Sequence, residues 1–476
     1  MTRLVVVGDV LLDRDIDGHA DRLCPDAPAP VVDEPVETSR PGGAGLAALL
    51  AARDGHEVVL VTAMGRDEAG DELRDLLDAE GMQVVDLGHD GATPEKVRIR
   101  ADGRSLVRLD HGGRRAGRIG PLAGAAVDAL RGATGALVAD YGYGVAAQPD
   151  VRDALAARRG GLPLVWDPHP RGAEPVPGCA LVTPNCGEAA LFAGGDEPEA
   201  TLSGVTARAQ RLRKRWSAAA VAVTLGDRGA LLVQGDGLPL VQPARQVPCF
   251  DPCGAGDRFA SAAAGLLADG ALPSEAVAGA VEAATAFIAA GGAAAIRGGQ
   301  GLRSGAAPYP SSGEESAYEV VARVRAQGGT VVATGGCFDL LHAGHTAVLQ
   351  AARALGDCLV VCLNSDESVR RLKGAGRPLQ RQQDRAAMLR ALSCVDAVVV
   401  FDEDTPVTAL ERLRPDVWAK GGDYALTDLP ESTVLSRWGG QAVVLPYLEG
   451  RSTTRLIRGA RSSDDPLAKG APARGA

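Results

Sequence analysis

The sequence predicts an α/β chain made of two unlike domains, the first carrying a small β lid, and three observations predict it. β-Branched runs alternate with helical stretches along almost the whole length, the pattern of βαβ units around mostly parallel sheets. A stretch rich in Gly, Pro and Ser, RGGQGLRSGAAPYPSSGEESA at 297–317, interrupts them, and a new strand series starts beyond it. Two segments, 31–37 and 96–109, read instead as a strand pair to one side, because VRIRADGRSLVRLD alternates polar with apolar and turns at Asp102-Gly103.

In chain order, RLVVVG at 3–8 is a buried first strand ending in Gly8-Asp9, and further strands fall at 58–62, 136–139, 163–166, 180–183 and 220–225. Helices are expected at 44–54 and 257–269. The second series has strands at 329–333, 358–363, 396–401, 416–419 and 441–445, with a helix at 345–355. Domains are therefore expected at 1–300 and 321–462, separated by a linker at 301–320 and followed by a disordered tail at 463–476.

Composition agrees with that size. At 476 residues the chain exceeds one compact domain, and 46% hydrophobic with 23% charged residues excludes global disorder. A net charge of −10 argues against nucleic acid or anionic membranes as partners, while leaving room for a local phosphate pocket. The 50 basic residues comprise 45 Arg and only five Lys (Lys96, Lys214, Lys373, Lys420, Lys469), so each Lys is worth weighing. Nine Cys without a C-x-x-C pair read as free thiols of a reducing compartment. Asp9 interrupts the N-terminal apolar run too early for a signal peptide, and no stretch is apolar enough for a membrane span. A cytoplasmic protein is expected.

The sharpest motif lies in the second half, Thr334-Gly335-Gly336-Cys337-Phe338-Asp339-Leu340-Leu341-His342-Ala343-Gly344-His345, between a strand and a helix. Two His flanking Gly at a helix N-terminus can present ring N–H donors to a phosphate, and the Gly-rich turn lets backbone amides approach it. That suits attack on the α-phosphate of a nucleoside triphosphate, where an anionic nucleophile needs positioning and charge neutralisation rather than a base. Arg371-Leu372-Lys373-Gly374, Lys420-Gly421-Gly422-Asp423-Tyr424 and Arg451-Ser452-Thr453-Thr454-Arg455 follow in order; the last could equally be a Ser/Thr helix cap. The set resembles the nucleotidyltransferase family that includes cytidylyltransferases. The resemblance implies His342 and His345 as catalytic, with Gly335, Cys337, Phe338, Lys373, Lys420, Gly421, Asp423, Ser452, Thr453 and Thr454 around the nucleotide, in a Rossmann-like α/β domain.

The first half holds Asp251-Pro252-Cys253-Gly254-Ala255-Gly256-Asp257-Arg258-Phe259 ahead of a small-residue helix. Gly-Ala-Gly at a helix start exposes successive N–H groups and the positive end of the dipole to a transferring γ-phosphoryl, and Asp257 would accept the proton of the attacking hydroxyl. The string resembles the ribokinase/PfkB sugar-kinase family. That resemblance implies Gly254, Ala255 and Gly256 as anion hole, Asp9, Asp13, Gly42 and Gly43 at the sugar, and Asn185, Glu188, Thr224, Gly226 and Gly229 at the nucleotide. Capping is the competing reading for Asn185 with Glu188, and a helix-start turn for Gly42-Gly43. No Walker A string exists, which excludes a P-loop kinase.

A kinase of this type followed by an HxGH site resembles the bifunctional heptose 7-phosphate kinase/heptose 1-phosphate adenylyltransferases, over nearly all of residues 3–460, with the strings Ser105–Asp110 and Phe401–Pro406 in support. The resemblance implies ATP as substrate of both reactions, Mg²⁺ with no direct protein ligand assigned and its hydration organised by Asn185 and Glu188, a monovalent cation in the kinase domain, heptose phosphates as substrates, a phosphatase acting between the two reactions, and a dimer. Another sugar or polyol phosphate, a protein with only its adenylyltransferase half active, or a non-catalytic nucleotide sensor are the alternatives. Four positions depart from the pattern: Leu46 stands where the family has a sugar-binding Asn, Cys253 for Thr, His169 for the Lys of Asp-Pro-Lys, and Tyr143 for the Lys of Tyr-x-Lys-Gly. Loss of an Asn hydrogen bond is worth about 1–3 kcal/mol, roughly 5- to 150-fold, so weakened or altered kinase activity, improved by Leu46→Asn, is expected.

Overall fold

In the computed structural model of the chain, residues 2–446 are described except 28, 102–103, 113–116, 159, 195–200, 236, 250–251, 298–315, 375 and 422–429. The described residues fall into two compact units, one drawn from Met1–Gly237 and Ala244–Ser304, the other from Leu238–Pro243 and Gly305–Ala476.

The first unit is built on β1 (Arg3–Gly8), β4 (Glu57–Thr62), β5 (Gln83–Asp86), β8 (Gly135–Ala139), β9 (Leu164–Asp167), β10 (Leu181–Val182), β11 (Ala220–Thr224) and β12 (Ala230–Gln234), in the order β12-β11-β10-β9-β8-β1-β4-β5. All pairs are parallel except β11 with β12. β1 and β8 are almost wholly buried, as β-branched runs without alternation require of strands covered on both faces. The runs expected at 58–62, 136–139, 163–166, 180–183 and 220–225 are all strands, shifted by a residue or two. β5 and β12 were not expected.

The lid is larger than the expected strand pair. β2 (Val10–Leu23), β3 (Pro30–Gly43), β6 (Glu95–Ala101) and β7 (Arg104–His111) form a separate sheet in the order β3-β2-β6-β7. β2 escaped notice because Asp13, Asp15 and Asp17 make it read as a polar loop. Asp13 and Asp15 are nevertheless buried, each matched by a cation: Arg98 donates to Asp13 at 2.6 Å, and Arg40 pairs with Asp15. The turn at Asp102-Gly103 lies outside the described residues.

In the second unit β14 (Val331–Gly336), β15 (Cys358–Asn364), β16 (Ala397–Phe401), β17 (Val417–Gly421) and β18 (Gln441–Leu445) are joined by the short β13 (Leu240–Gln242), in the order β16-β15-β14-β17-β18-β13, all parallel. Chain order reverses between β14 and β17, and at such a switch point the carboxyl ends of neighbouring strands open a crevice. Trp418, Leu410, Leu413 and Val360 are among the residues of its core, against the helix Ala317–Ala326. That helix starts inside the stretch expected to be linker, because Ser316 and Glu319 form a reciprocal capping box. The proposed tail at 463–476 lies outside the described residues.

Candidate active sites

In the first unit, Gly254 takes φ +81° and caps the helix Ala255–Ala268. Glycine is needed there for conformation and for space: a Cβ would lie 2.9 Å from Leu46 Cδ2 and 3.3 Å from the Phe287 ring. Asp257, in the first turn, is buried, and Tyr141 Oη donates to its Oδ1 at 2.6 Å. Burial raises the Asp257 carboxyl from its ordinary 3.8 to about 7, with nearby Asp13 adding to the rise; the Tyr141 hydrogen bond and the Lys96 charge pull the other way. A carboxylate poised near neutrality beside the open N–H end of a helix is the pairing that phosphoryl transfer to a hydroxyl requires.

Thr224, Gly226 and Gly229, expected at the nucleotide, line a largely apolar cavity of about 210 Å³ together with Pro252, Ala255, Gly256 and Phe259. The structure thus brings residues of the turn expected at the nucleotide and of the turn expected as anion hole to one space. The Ala255 amide is bonded to the Pro252 carbonyl at 3.1 Å. Asn185 and Glu188 are outside that lining and form a capping box, Asn185 Oδ1 accepting from the Glu188 amide at 2.9 Å and Glu188 Oε2 from the Asn185 amide at 2.8 Å.

On the sugar side, Asp9 was expected to meet the ligand, yet its two oxygens accept the amides of Tyr141, Tyr143 and Val145 at 2.9–3.0 Å. Its observed work is to hold the loop that carries Tyr141. Gly42, next to last in β3, lies against Asp13, where a Cβ would come within 2.6 Å of Asp13 Oδ2, and Gly43 is the N-cap of the helix Ala44–Arg53. Leu46 does not replace a sugar contact in any simple sense. It is 1% exposed and packs with Leu50, Ala293, Cys253 and Phe287 beneath the anion-hole turn. Tyr141, Lys96 and Arg98 were missed among the site residues; the scarcity of Lys was the one signal for Lys96.

In the second unit, Gly335, Cys337, Phe338, His345, Lys373, Lys420 and Gly421 line one cavity of about 170 Å³, with Thr334, Gly336, Asp339, Gly344 and Val348. It opens at the carboxyl ends of β14 and β17. His342 is the N-cap of the helix Ala343–Arg353; its Nδ1 accepts the His345 amide at 3.4 Å, and its ring stacks on that of His345 with centroids 3.9 Å apart. Burial, with His342 and Lys373 nearby, lowers His345 from 6.5 to about 4, so its ring is a neutral donor at physiological pH. Phe338 takes a left-handed φ of +44°, strain of the kind that gathers at functional sites. Lys420 is 3.6 Å from Glu431. Asp423, Ser452, Thr453 and Thr454 lie outside the described residues.

Arg385 was also missed. It is fully buried and donates to the carbonyls of Cys337 (2.5 Å), Asn364 (2.9 Å) and Gln380 (3.0 Å) and to Asp366 (2.7 Å), tying the motif loop to the end of β15. Among 45 arginines nothing marked it. Among the described residues no cluster of three or more His, Cys, Asp or Glu could hold a metal.

Residues 1–104 and 154–297 match the pfkB family carbohydrate kinase pattern, and residues 333–458 the cytidylyltransferase-like pattern. A solved Arabidopsis thaliana ribokinase, complexed with ribose and ATP, is 22% identical with a TM-score of 0.50, covering 62% of this chain and 95% of its own, a likeness of fold. The Bifunctional protein HldE of Azorhizobium caulinodans is 38% identical, over 96% of this chain and 98% of its own length. That of Streptomyces coelicolor is 58% identical over 457 residues, 96% of each chain. The likeness spans 96% of this chain, and the chain therefore belongs to the bifunctional HldE family, a carbohydrate kinase and a nucleotidyltransferase on one polypeptide.

Proposed function

We propose that the first unit phosphorylates D-glycero-D-manno-heptose 7-phosphate at O1 with ATP, and that the second joins AMP from another ATP to D-glycero-D-manno-heptose 1-phosphate, giving an ADP-heptose and pyrophosphate. The observation that supports the reading is that each unit gathers candidate groups of its own: buried Asp257, its carboxyl raised to about 7, beside the Gly254 turn, and His345 with Lys373 and Lys420 around one cavity.

At the kinase site Asp257 takes the O1 proton as O1 bonds to the γ-phosphorus, the bond to the bridging oxygen breaks, and ADP leaves while the positive end of the helix Ala255–Ala268 faces the charge. At the second site the sugar phosphate is already an anion, so no base is needed. Lys373 and Lys420 offset the charge of the α-phosphate and the neutral His345 ring donates a hydrogen bond to it as pyrophosphate departs. Mg²⁺ carried by ATP would offset phosphate charge in both reactions. A monovalent cation at the kinase site rests on family resemblance alone.

The first product carries two phosphates and the second reaction uses one, so a phosphatase must act between them. The enzyme works where ATP is abundant, in the cytoplasm, in keeping with nine free cysteines; no described helix is long and apolar enough to cross a membrane. It works as a dimer, a reading supported by the exposed apolar residues of β7. The test is to supply ATP and Mg²⁺ with either heptose 7-phosphate or heptose 1-phosphate and to record ADP and pyrophosphate separately. Asp257→Asn abolishes only the first signal and His345→Ala only the second; loss of both from one substitution overturns the reading.

A further inference from the structure

Two buried acids stand side by side just past the paired strands β1 and β8 of the first unit, and proton transfer from O1 uses neither. Asp9 accepts the amides of Tyr141, Tyr143 and Val145 and so shapes the 141–145 loop. Asp140 reaches further. Its Oδ1 accepts the Gly142 amide at 2.8 Å and its Oδ2 the Ala173 amide, also at 2.8 Å, while its own amide donates to the Asp167 carbonyl at 3.1 Å. One carboxylate thereby fastens the loop that carries Tyr141 to a second loop, 169–173, which follows β9.

The two loops meet through glycines. Gly142 takes φ +76°, and a Cβ there would lie 2.8 Å from Arg171 Cβ; at Gly172 a Cβ would fall 2.1 Å from Asp140 Oδ2. Both partners of the carboxyl are N–H donors, so the ionised form, which accepts with both oxygens, is the one that closes the junction. Burial, then the Asp9 charge, raise Asp140 to about 7, against the Gly142 and Ala173 amides and the Arg152 guanidinium. The other titratable or charged groups around it are Asp167 past β8's neighbour β9, Tyr141 and Tyr143 on its own loop, and His169 and Arg171 on the second loop. What the junction carries is Tyr141, whose Oη donates to Asp257 Oδ1 at 2.6 Å and favours the ionised base.

We propose that Asp140 is a positioning residue of the first reaction: by tying the 141–145 loop to the 169–173 loop, it holds Tyr141 Oη on Asp257. The proposal rests on the reading of Asp257 as the base of a sugar-phosphate kinase. Asp140 touches no substrate in this role and acts through Tyr141.

The experiment uses the full chain with Asp140→Asn, Gly172→Ala, Tyr141→Phe and the double variant Asp140→Asn/Tyr141→Phe, and follows ADP formed from heptose 7-phosphate across pH. Asparagine keeps one acceptor oxygen and turns an NH2 toward the other amide. Gly172→Ala presses on the carboxylate with Asp140 in place. Asp140→Asn lowers kcat about tenfold near pH 8, moves the midpoint of the acid limb to higher pH, and leaves KM for ATP within about twofold, which shows the first unit folded. Gly172→Ala moves the midpoint the same way. The direction is diagnostic, because loss of a negative charge alone moves the Asp257 midpoint to lower pH. In the Tyr141→Phe background, Asp140→Asn costs no more than about a further twofold. A midpoint that is unmoved or lowered, or losses that multiply in the double variant, overturns the proposal.

If the wild type forms no ADP from heptose 7-phosphate, the substrate reading falls, and the positioning is read without substrate. The Tyr141 phenol, raised well above its ordinary 10 by burial and then by Asp257, stays protonated in the wild type. Released in Asp140→Asn, it adds one ionising tyrosine by about pH 11 in ultraviolet difference absorbance, and the double variant lacks that increment. An Asp140→Asn titration identical to wild type overturns the proposal.

Discussion

In the proposed kinase reaction one residue, Asp257, sets the working range. Its carboxyl is raised from 3.8 to about 7 chiefly by burial, and Tyr141 and Lys96 keep it from rising further. As a base it works only when ionised, so kinase kcat/KM climbs as pH passes about 7 and levels off above it. Tyr141→Phe removes the hydrogen bond that favours the ionised form, which moves the midpoint to higher pH and lowers the rate at neutrality. A pH–rate profile of both proteins checks this, and an unmoved midpoint counts against the assignment. The linkage to stability has a definite sign. A carboxyl raised in the folded state contributes stability below its ordinary value that is lost as pH rises through about 7. Asp257→Asn, though inactive as a kinase, therefore melts higher than wild type at pH 8, with the difference shrinking toward pH 4.

The turn before the helix Ala255–Ala268 is an element whose shape depends on what lies beneath it. Leu46, Cys253 and Phe287 form an apolar wedge there, and Gly254 can approach it only because it lacks a Cβ. The sequence suggested that Leu46→Asn would restore a sugar contact; the packing gives the opposite outcome. An amide buried in that wedge loses the leucine contacts, a change of about 2–5 kcal/mol for comparable truncations, and lets the anion-hole turn shift. Leu46→Asn should lower kinase kcat at least tenfold and leave KM for the sugar near its wild-type value, while Leu46→Met, similar in volume, retains most of the rate. A rise in kcat/KM on Leu46→Asn would sink this. The same contrast marks what was legible in the sequence. Strands such as β1 and β15 announce themselves because burial on both faces forces unbroken apolar runs, and the HxGH and GAGD strings because phosphate approach restricts residue type. β2 and Arg385 did not, since buried charges matched by partners distant in sequence look, residue by residue, like surface.

At the scale of the molecule, each reaction is served by side chains of one unit, and neither constellation borrows a described residue from the other. The described surface that asks for a second copy is the lid. Every residue of β7 is exposed, Leu106, Val107 and Leu109 included at 38%, 48% and 41%. Among the described residues β7 is an edge of its sheet, paired on one side by β6. An edge strand with free N–H and C=O groups and apolar side chains invites pairing with another strand, and proteins that stay monomeric usually blunt such edges. Val107 and Leu109 point to one face of the strand, so one charge there opposes association without touching the core. Leu109→Glu should therefore shift the protein from the proposed dimer toward monomer in light scattering at micromolar concentration. Because β6 carries Lys96 and neighbours β7, kinase turnover should fall with dissociation while pyrophosphate release holds steady; a variant that stays dimeric, or a wild type already monomeric, removes the lid as the interface.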